Sequence, residues 1–233
     1  MELMDLTQLS LISADETAAL IFICGDQYLF RYRTKDNGIA YKFVSPASVR
    51  AAFAEEAIDT TWLSANVRRW GIGKQGEWML VAYRPQRHRF AFQSSGDASA
   101  ITLEVPMPGL AFFGYGRRYS IWAFKDAELR GDTHLFAAPL PNVDANGAIC
   151  FGNNVVPKAS AQTIEEAWRL FLTSPFTNHA VNGKSRTYPD DVRQQLVRLS
   201  DGHHRRYPLW DLVSLNRTAN MVIDWTLNLR GME

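Results

Sequence analysis

The feature that most restricts the fold of this chain is a change of hydrophobic period near its middle. From Val67 to Ala138 the sequence falls into short segments, Val67 to Ile72, Glu77 to Tyr83, Arg89 to Phe92, Ile101 to Val105, Tyr119 to Phe124 and Thr133 to Ala138. Their connections hold Gly73 to Gly76, Pro85, Ser94 to Asp97, Pro106 to Gly109 and Gly131-Asp132. Alternating segments of strand length, joined by compact turns, predict an antiparallel β-meander. Beyond Asn154 the period becomes 3.6. Ile164, Ala167, Trp168, Phe171 and Leu172 make one apolar stripe, Thr163 and Glu166 are spaced as a capping box, and Ser174-Pro175 is a stop. A polar loop, Thr177 to Arg186, leads to a second helix near Pro189 with a narrow stripe of Val192, Leu196 and Leu199. The tail from Pro208 to Leu229 is apolar and expected to be helical in part. The class is α+β, strands first and helices after.

The N-terminal part reads differently. Ala18 to Cys24 is rich in β-formers and ends at a Gly25-Asp26 turn, and Gln27 to Arg33 alternates with Tyr28, Phe30 and Tyr32 on one face. Lys35-Asp36-Asn37-Gly38 is a hairpin signal, because Asn-Gly tolerates the positive φ of a tight turn, and Ile39 to Val44 is the returning strand. Ser45 caps and Pro46 opens a short helix, Ala47 to Ala57, with Val49, Ala52 and Phe53 on one face. The expected division is a β-rich N-terminal extension with one short helix over residues 1–66 and a core over 67–233.

Composition removes several function classes. The 233 residues suffice for one sizeable core. With 25 basic against 24 acidic residues the net charge is +1, so nothing draws the chain to nucleic acid or anionic membrane. The clusters Arg68-Arg69, Arg84 to Arg89, Arg117-Arg118 and His203 to Arg206 read as solvated surface. Phe112 to Arg118 interleaves aromatic residues with arginine and could contact nucleic acid, but it lacks a basic surround or a known module. Glu2 and Asp5 without a basic flank are unlike a signal peptide, and Ala18 to Cys24 is far too short to span a bilayer. A cytoplasmic, reducing compartment follows as the expectation. Two cysteines in unrelated contexts form no disulfide framework, and without Cys-x-x-Cys or His-Glu-x-x-His no metal site is expected. Gly114-Tyr115-Gly116 is too short for a phosphate cradle, and no cofactor is expected.

The chemistry concentrates between Pro139 and Asn154. Pro139, Pro141, Asn142, Asn146 and Gly147 make turns, Ala148 to Phe151 is a short apolar run containing Cys150, and Gly152-Asn153-Asn154 breaks the chain again. A thiol fixed between turns is a candidate nucleophile; the other reading of Cys150 is a small buried apolar residue. The same choice falls toward packing for Cys24. Any of the five histidines could fold against Cys150 as a base, though none stands in a supporting motif. Asn142, eight residues earlier, offers an amide N–H that could stabilise the oxyanion of acyl transfer, worth about 100-fold to 1,000-fold in other sites, or could simply cap a turn.

Pro141-Asn142-Val143, Gly147 and Ile149-Cys150 resemble the active-site segment of ubiquitin-conjugating enzymes, in which a His-Pro-Asn triplet precedes the catalytic cysteine at this spacing. The preceding strands, the proline-rich bend Val105 to Pro108 and the helix ending at Ser174-Pro175-Phe176 suit that family. Over most of the chain, including Val44-Ser45-Pro46-Ala47 and Trp70-Gly71, the sequence resembles prokaryotic ubiquitin-conjugating-like proteins of family D, among them protein B of PRTRC plasmid systems. The resemblance implies a fold of that family for the core. It implies that Cys150 accepts a ubiquitin-like protein as a thioester and transfers it to an amine, with Asn142 stabilising the oxyanion or fixing the loop. Pro141, Gly147 and Asp144 would support the turn; Asp144 could also lower the pKa of the attacking amine or be an ordinary exposed turn residue. A ThiF-like activating enzyme and a small ubiquitin-like protein are the implied partners. A non-catalytic adaptor that binds either of them is the second reading, and a plasmid-maintenance module that contacts DNA through its arginines is the third. Leu140 stands where that family has histidine, so the turn must be held by other means. Gly152 to Lys158 replaces the Trp-Ser-Pro element that follows the cysteine in the family.

Overall fold

A computed structural model describes residues 18–23, 27–34, 36–53, 62–93 and 101–231. The chain divides into two compact units, Met1–Asp59 and Thr60–Glu233. In the first, β1 (Ala18–Ile23), β2 (Gln27–Arg33) and β3 (Ile39–Val44) form an antiparallel sheet in sequence order. The hairpin turns where Asn-Gly requires it: Asn37 takes φ 64°, and the Thr34 amide donates to the Gly38 carbonyl at 2.8 Å. Phe30 and Tyr32, which share a face, stack at 5.6 Å. Helix α1 (Pro46–Phe53) is capped by Ser45, whose hydroxyl accepts the Ser48 N–H at 3.1 Å. Its expected continuation to Ala57 and the residue Cys24 lie outside the described residues.

The second unit holds β4 (Val67–Gly73), β5 (Gly76–Tyr83), β6 (Gln86–Phe92), β7 (Ile101–Met107), β8 (Gly109–Tyr115), β9 (Arg118–Phe124), β10 (His134–Ala137) and β11 (Ser214–Thr218). Six of them form one antiparallel sheet in the order β11-β10-β9-β8-β5-β4, while β6 and β7 make a separate two-stranded sheet, with Phe92 of β6 also bridged to Phe176. The mixture of helix with antiparallel sheet is as expected, but the meander is interrupted: a separate hairpin stands between β5 and β8.

Two strands carry no alternating signal in the sequence. Every residue of β8 is buried, so its two faces present no polar contrast to betray a period of 2. Its Phe112, Phe113 and Tyr115 are sealed inside, which removes the aromatic surface imagined for a nucleic acid over Phe112 to Arg118. Strand β11 lies in the tail expected to be partly helical, and it completes the sheet beside β10.

The sheet is covered on both faces. On one, Met79, Val81, Leu110, Phe112, Tyr119 and Ile121 pack with Ile164, Ala167, Trp168 and Phe171 of α2 (Ile164–Thr173) and with Leu196 and Leu199 of α3 (Val192–Leu199). On the other, Leu80, Ala111, Phe113 and Trp122 pack with Ala219, Val222 and Ile223 of α4 (Ala219–Gly231). Helix α2 ends at Ser174, as its following proline requires. Its start departs from the expected capping box: the Thr163 hydroxyl donates backwards to the Lys158 carbonyl and makes no cap bond. The preceding 158–163 turn satisfies that hydroxyl first. Helix α3 is capped instead by Asp191, which accepts the Arg193 N–H at 2.9 Å.

His88 of β6 is buried among Tyr83, Phe90 and Trp168, and its Nε2 has no hydrogen-bond partner. Burial disfavours the imidazolium and lowers its pKa from 6.5 to about 4. Between those values the unfolded chain holds a proton that the folded chain refuses, so stability is complete above pH 6.5 and is lost as pH falls toward 4. At about 1.4 kcal/mol per pH unit, the loss totals on the order of 3 kcal/mol. Urea unfolding at pH 7.5 and pH 4.5 should show this slope in the wild type, and His88→Phe should flatten it relative to wild type.

Candidate active site

The stretch from Pro139 to Asn154 owes its shape to β9. Strand β10 pairs with β9 only at Ala123 and Trp122. The turn covers what is left: the Ile121 amide donates to the Gly147 carbonyl at 2.8 Å, and the Ile149 amide to the Tyr119 carbonyl at 3.0 Å. Ser120 and Ala148 are bridged between these bonds.

Asp144 builds the tight part of the turn. Its Oδ1 accepts the N–H groups of Asn146 at 2.7 Å and Ala148 at 2.9 Å, while the side chain stays exposed. Gly147 follows with φ 92°, and a Cβ there would lie 2.2 Å from Trp122 Nε1. The indole needs that space because it donates to the Asn146 carbonyl at 3.0 Å. Glycine is therefore required both for backbone angle and for close approach.

Asn142 is bonded on every side. Its backbone is left-handed at φ 57°, its N–H donates to the His179 carbonyl at 2.9 Å, and its own carbonyl accepts the Cys150 N–H at 2.8 Å. Its buried carboxamide turns to the segment after α2: Nδ2 donates to the Pro175 carbonyl at 3.1 Å, and Oδ1 accepts from the Thr177 hydroxyl at 3.1 Å. Pro141 is buried beside it, and Leu140 is wholly inside the core. Cys150 is a free, exposed thiol, and among the described residues its side chain makes no hydrogen bond. The structure thus brings Asn142, Pro141, Asp144, Gly147 and Cys150 together in one turn, with Asn142 meeting Cys150 through its main chain.

The segment behind the thiol is fixed as well. Asn154 Nδ2 donates to the Phe151 carbonyl at 2.8 Å and to Ser174 Oγ at 3.0 Å. The Tyr119 hydroxyl donates to the Pro157 carbonyl at 3.0 Å, and the Ala159 amide to the Gly116 carbonyl at 2.6 Å.

One participant escaped sequence reasoning altogether. Lys184, from the polar loop after α2, is buried, and its ammonium donates to the carbonyls of Leu140, at 2.8 Å, of Val143 and of Ala180. Burial lowers its pKa from 10.5 to about 8, against the opposing charge of Asp144. A lone lysine among polar loop residues reads as solvated, and no spacing in the sequence marks it. Its neighbour Ser185 donates to a second buried charge, Asp211, at 2.9 Å; Asp211 also accepts from the Thr187 amide and hydroxyl and from the Tyr207 hydroxyl. Burial alone would raise the Asp211 pKa, but these donors outweigh it and hold the carboxylate below its ordinary range.

Among the described residues no three His, Cys, Asp or Glu side chains gather as a metal site, and no helix is long and apolar enough to cross a membrane. What the arrangement offers is an accessible thiol on a backbone held by bonds to three separate segments. The model of prokaryotic E2 family D matches residues 40–215, a span that includes the whole turn. No curated protein and no solved structure matches the chain.

Gly147→Ala should cost about 2–4 kcal/mol, from the left-handed backbone and the collision with Trp122 together. Urea unfolding followed by tryptophan emission measures the loss; a change under 0.5 kcal/mol, the range of about ±0.5 typical of surface substitutions, would contradict this account of the turn.

Proposed function

This chain belongs to prokaryotic E2 family D, and on that premise we propose that Cys150 accepts the C-terminal carbonyl of a small ubiquitin-like protein as a thioester and passes it to an amine. The observation that carries the reading is an exposed thiol whose own backbone amide is tied to the Asn142 carbonyl. In the first step the Cys150 sulfur attacks the thioester that joins the modifier to a ThiF-like activating enzyme. The new S–C bond forms, the bond to the activating enzyme's cysteine breaks, and that cysteine leaves with the proton. In the second step an amine nitrogen attacks the same carbonyl, the C–N bond replaces the S–C bond, and the amine's proton passes to the departing thiolate or to water. A thioester is already activated, so neither step demands a strong base beside the sulfur.

For Asn142 the bonds to Pro175 and Thr177 support the loop-fixing role over that of an oxyanion donor, because the carboxamide is committed on the far side of the turn. Asp144 supports the same turn through its bonds to Asn146 and Ala148. The chemistry needs a reduced thiol, which suits the cytoplasm. The adaptor reading keeps one observation in its favour: among the described residues no acid or base hydrogen-bonds the Cys150 thiol.

Incubation with activating enzyme, modifier and ATP, followed by non-reducing electrophoresis, decides between them. The wild type and Cys24→Ser should form a reductant-sensitive adduct, Cys150→Ser a reductant-stable ester or none, and Cys150→Ala none. A wild type that stays unmodified while still binding either partner would establish the adaptor.

A further inference from the structure

We propose that Lys184 is the positioning residue of the Cys150 turn: its buried ammonium draws the two ends of the Leu140–Val143 segment together and so sets the backbone on which the thiol is mounted. The inference rests on the reading of Cys150 as the acceptor. An ammonium has three N–H donors, and Lys184 presents them to three carbonyl oxygens. Two of these oxygens, on Leu140 and Val143, flank the Pro141-Asn142 pair whose second residue is held left-handed. The third, on Ala180, follows His179 directly, and the His179 carbonyl takes the Asn142 N–H. Asn142 is therefore gripped from both sides, and its carbonyl in turn holds the Cys150 N–H.

The cation is what lets these oxygens converge. Without it, the buried carbonyl dipoles of Leu140 and Val143 face the part-buried one of Ala180 with no cation between them, and a buried acceptor left unsatisfied is destabilising. Moving apart is the relief, and because the Asn142 carbonyl between two of these oxygens holds the Cys150 N–H, such a movement passes to the backbone that bears the thiol. Leu140 gives this network only its carbonyl, since its side chain is spent in the core. Asp144, the charged group whose field reaches the amine, lies on the same turn and favours the ammonium form.

The test uses the full chain with Cys24→Ser, so that Cys150 is its single thiol, and compares Lys184→Met, Lys184→Gln and Lys184→Arg. Three quantities are read: hydrogen exchange of the Cys150 amide against the Phe112 amide of β8, alkylation of Cys150 by iodoacetamide, and single-turnover loading across modifier concentrations. Lys184→Met should raise Cys150 exchange at least ~10-fold more than Phe112 exchange and alter the alkylation rate. It should lower the maximal loading rate about 10-fold to 100-fold, the scale of a misplaced reacting group, with half-saturating modifier unchanged. Lys184→Arg should recover most of the loading. If Lys184→Met does not fold, Lys184→Gln carries the same comparison. Cys150 exchange that merely follows Phe112, unchanged maximal loading, or failure of all three variants to fold would overturn the proposal in favour of a role in stability alone. Should the parent chain never load, the assignment of Cys150 fails, and the exchange and alkylation results still decide whether Lys184 sets the turn.

Discussion

The structure depends on the burial of one strand, β8, between two partners and two layers of helix. It pairs with β5 from Trp78 to Tyr83 and with β9 from Arg118 to Phe124, so its backbone groups are met from both sides. Its side chains alternate between the two cores, Leu110 and Phe112 toward α2 and α3, Ala111, Phe113 and Tyr115 toward α4. Fully burying a side chain such as Leu or Phe is worth about 1.5–3 kcal/mol, and this strand collects that gain on both faces. The neighbouring β9 is paired to it from Arg118 to Phe124, and it is β9 to which the candidate site is bonded.

That dependence explains how a turn without regular structure can present a thiol at a fixed place. Carbonyls and amides of Tyr119 and Ile121 anchor its middle, the Asp144 carboxylate closes its tip, and Lys184 gathers its start. The Cys150 thiol is left to solvent, as is the turn tip from Asp144 to Asn146. Holding the backbone while exposing the sulfur suits a reaction between large partners, where orientation contributes more than acid–base strength.

Much of this was legible in the sequence wherever a residue's local preference and its tertiary role agree. Asn37 sits in the turn its positive φ favours, Ser45 caps, Ser174-Pro175 stops α2, and Gly147 occupies a place only glycine fits. Legibility failed where tertiary surroundings override local pattern. Strand β8 is buried on both faces and has no polar side to reveal it. Thr163 found a nearer acceptor than the helix it should cap. The β6–β7 hairpin leaves the sheet without any composition change to announce it. Within the site, Cys150 and Asn142 stand out by spacing, whereas Lys184 belongs to the turn only after the loop folds back over it, 44 residues from Leu140 along the chain.

Lys184 and Ser185 are consecutive, yet one reaches the carbonyls of the Cys150 turn and the other the carboxylate of Asp211. A single step of the chain thus passes from a buried cation to a buried anion. Surface loops ordinarily absorb insertions and deletions at little cost. Here a gain or loss of one residue between His179 and Thr187 would throw both contacts out of register together. The loop has the composition of a spacer and the length tolerance of a core strand, and its freedom to vary is left to outward side chains such as Asn182 and Arg186.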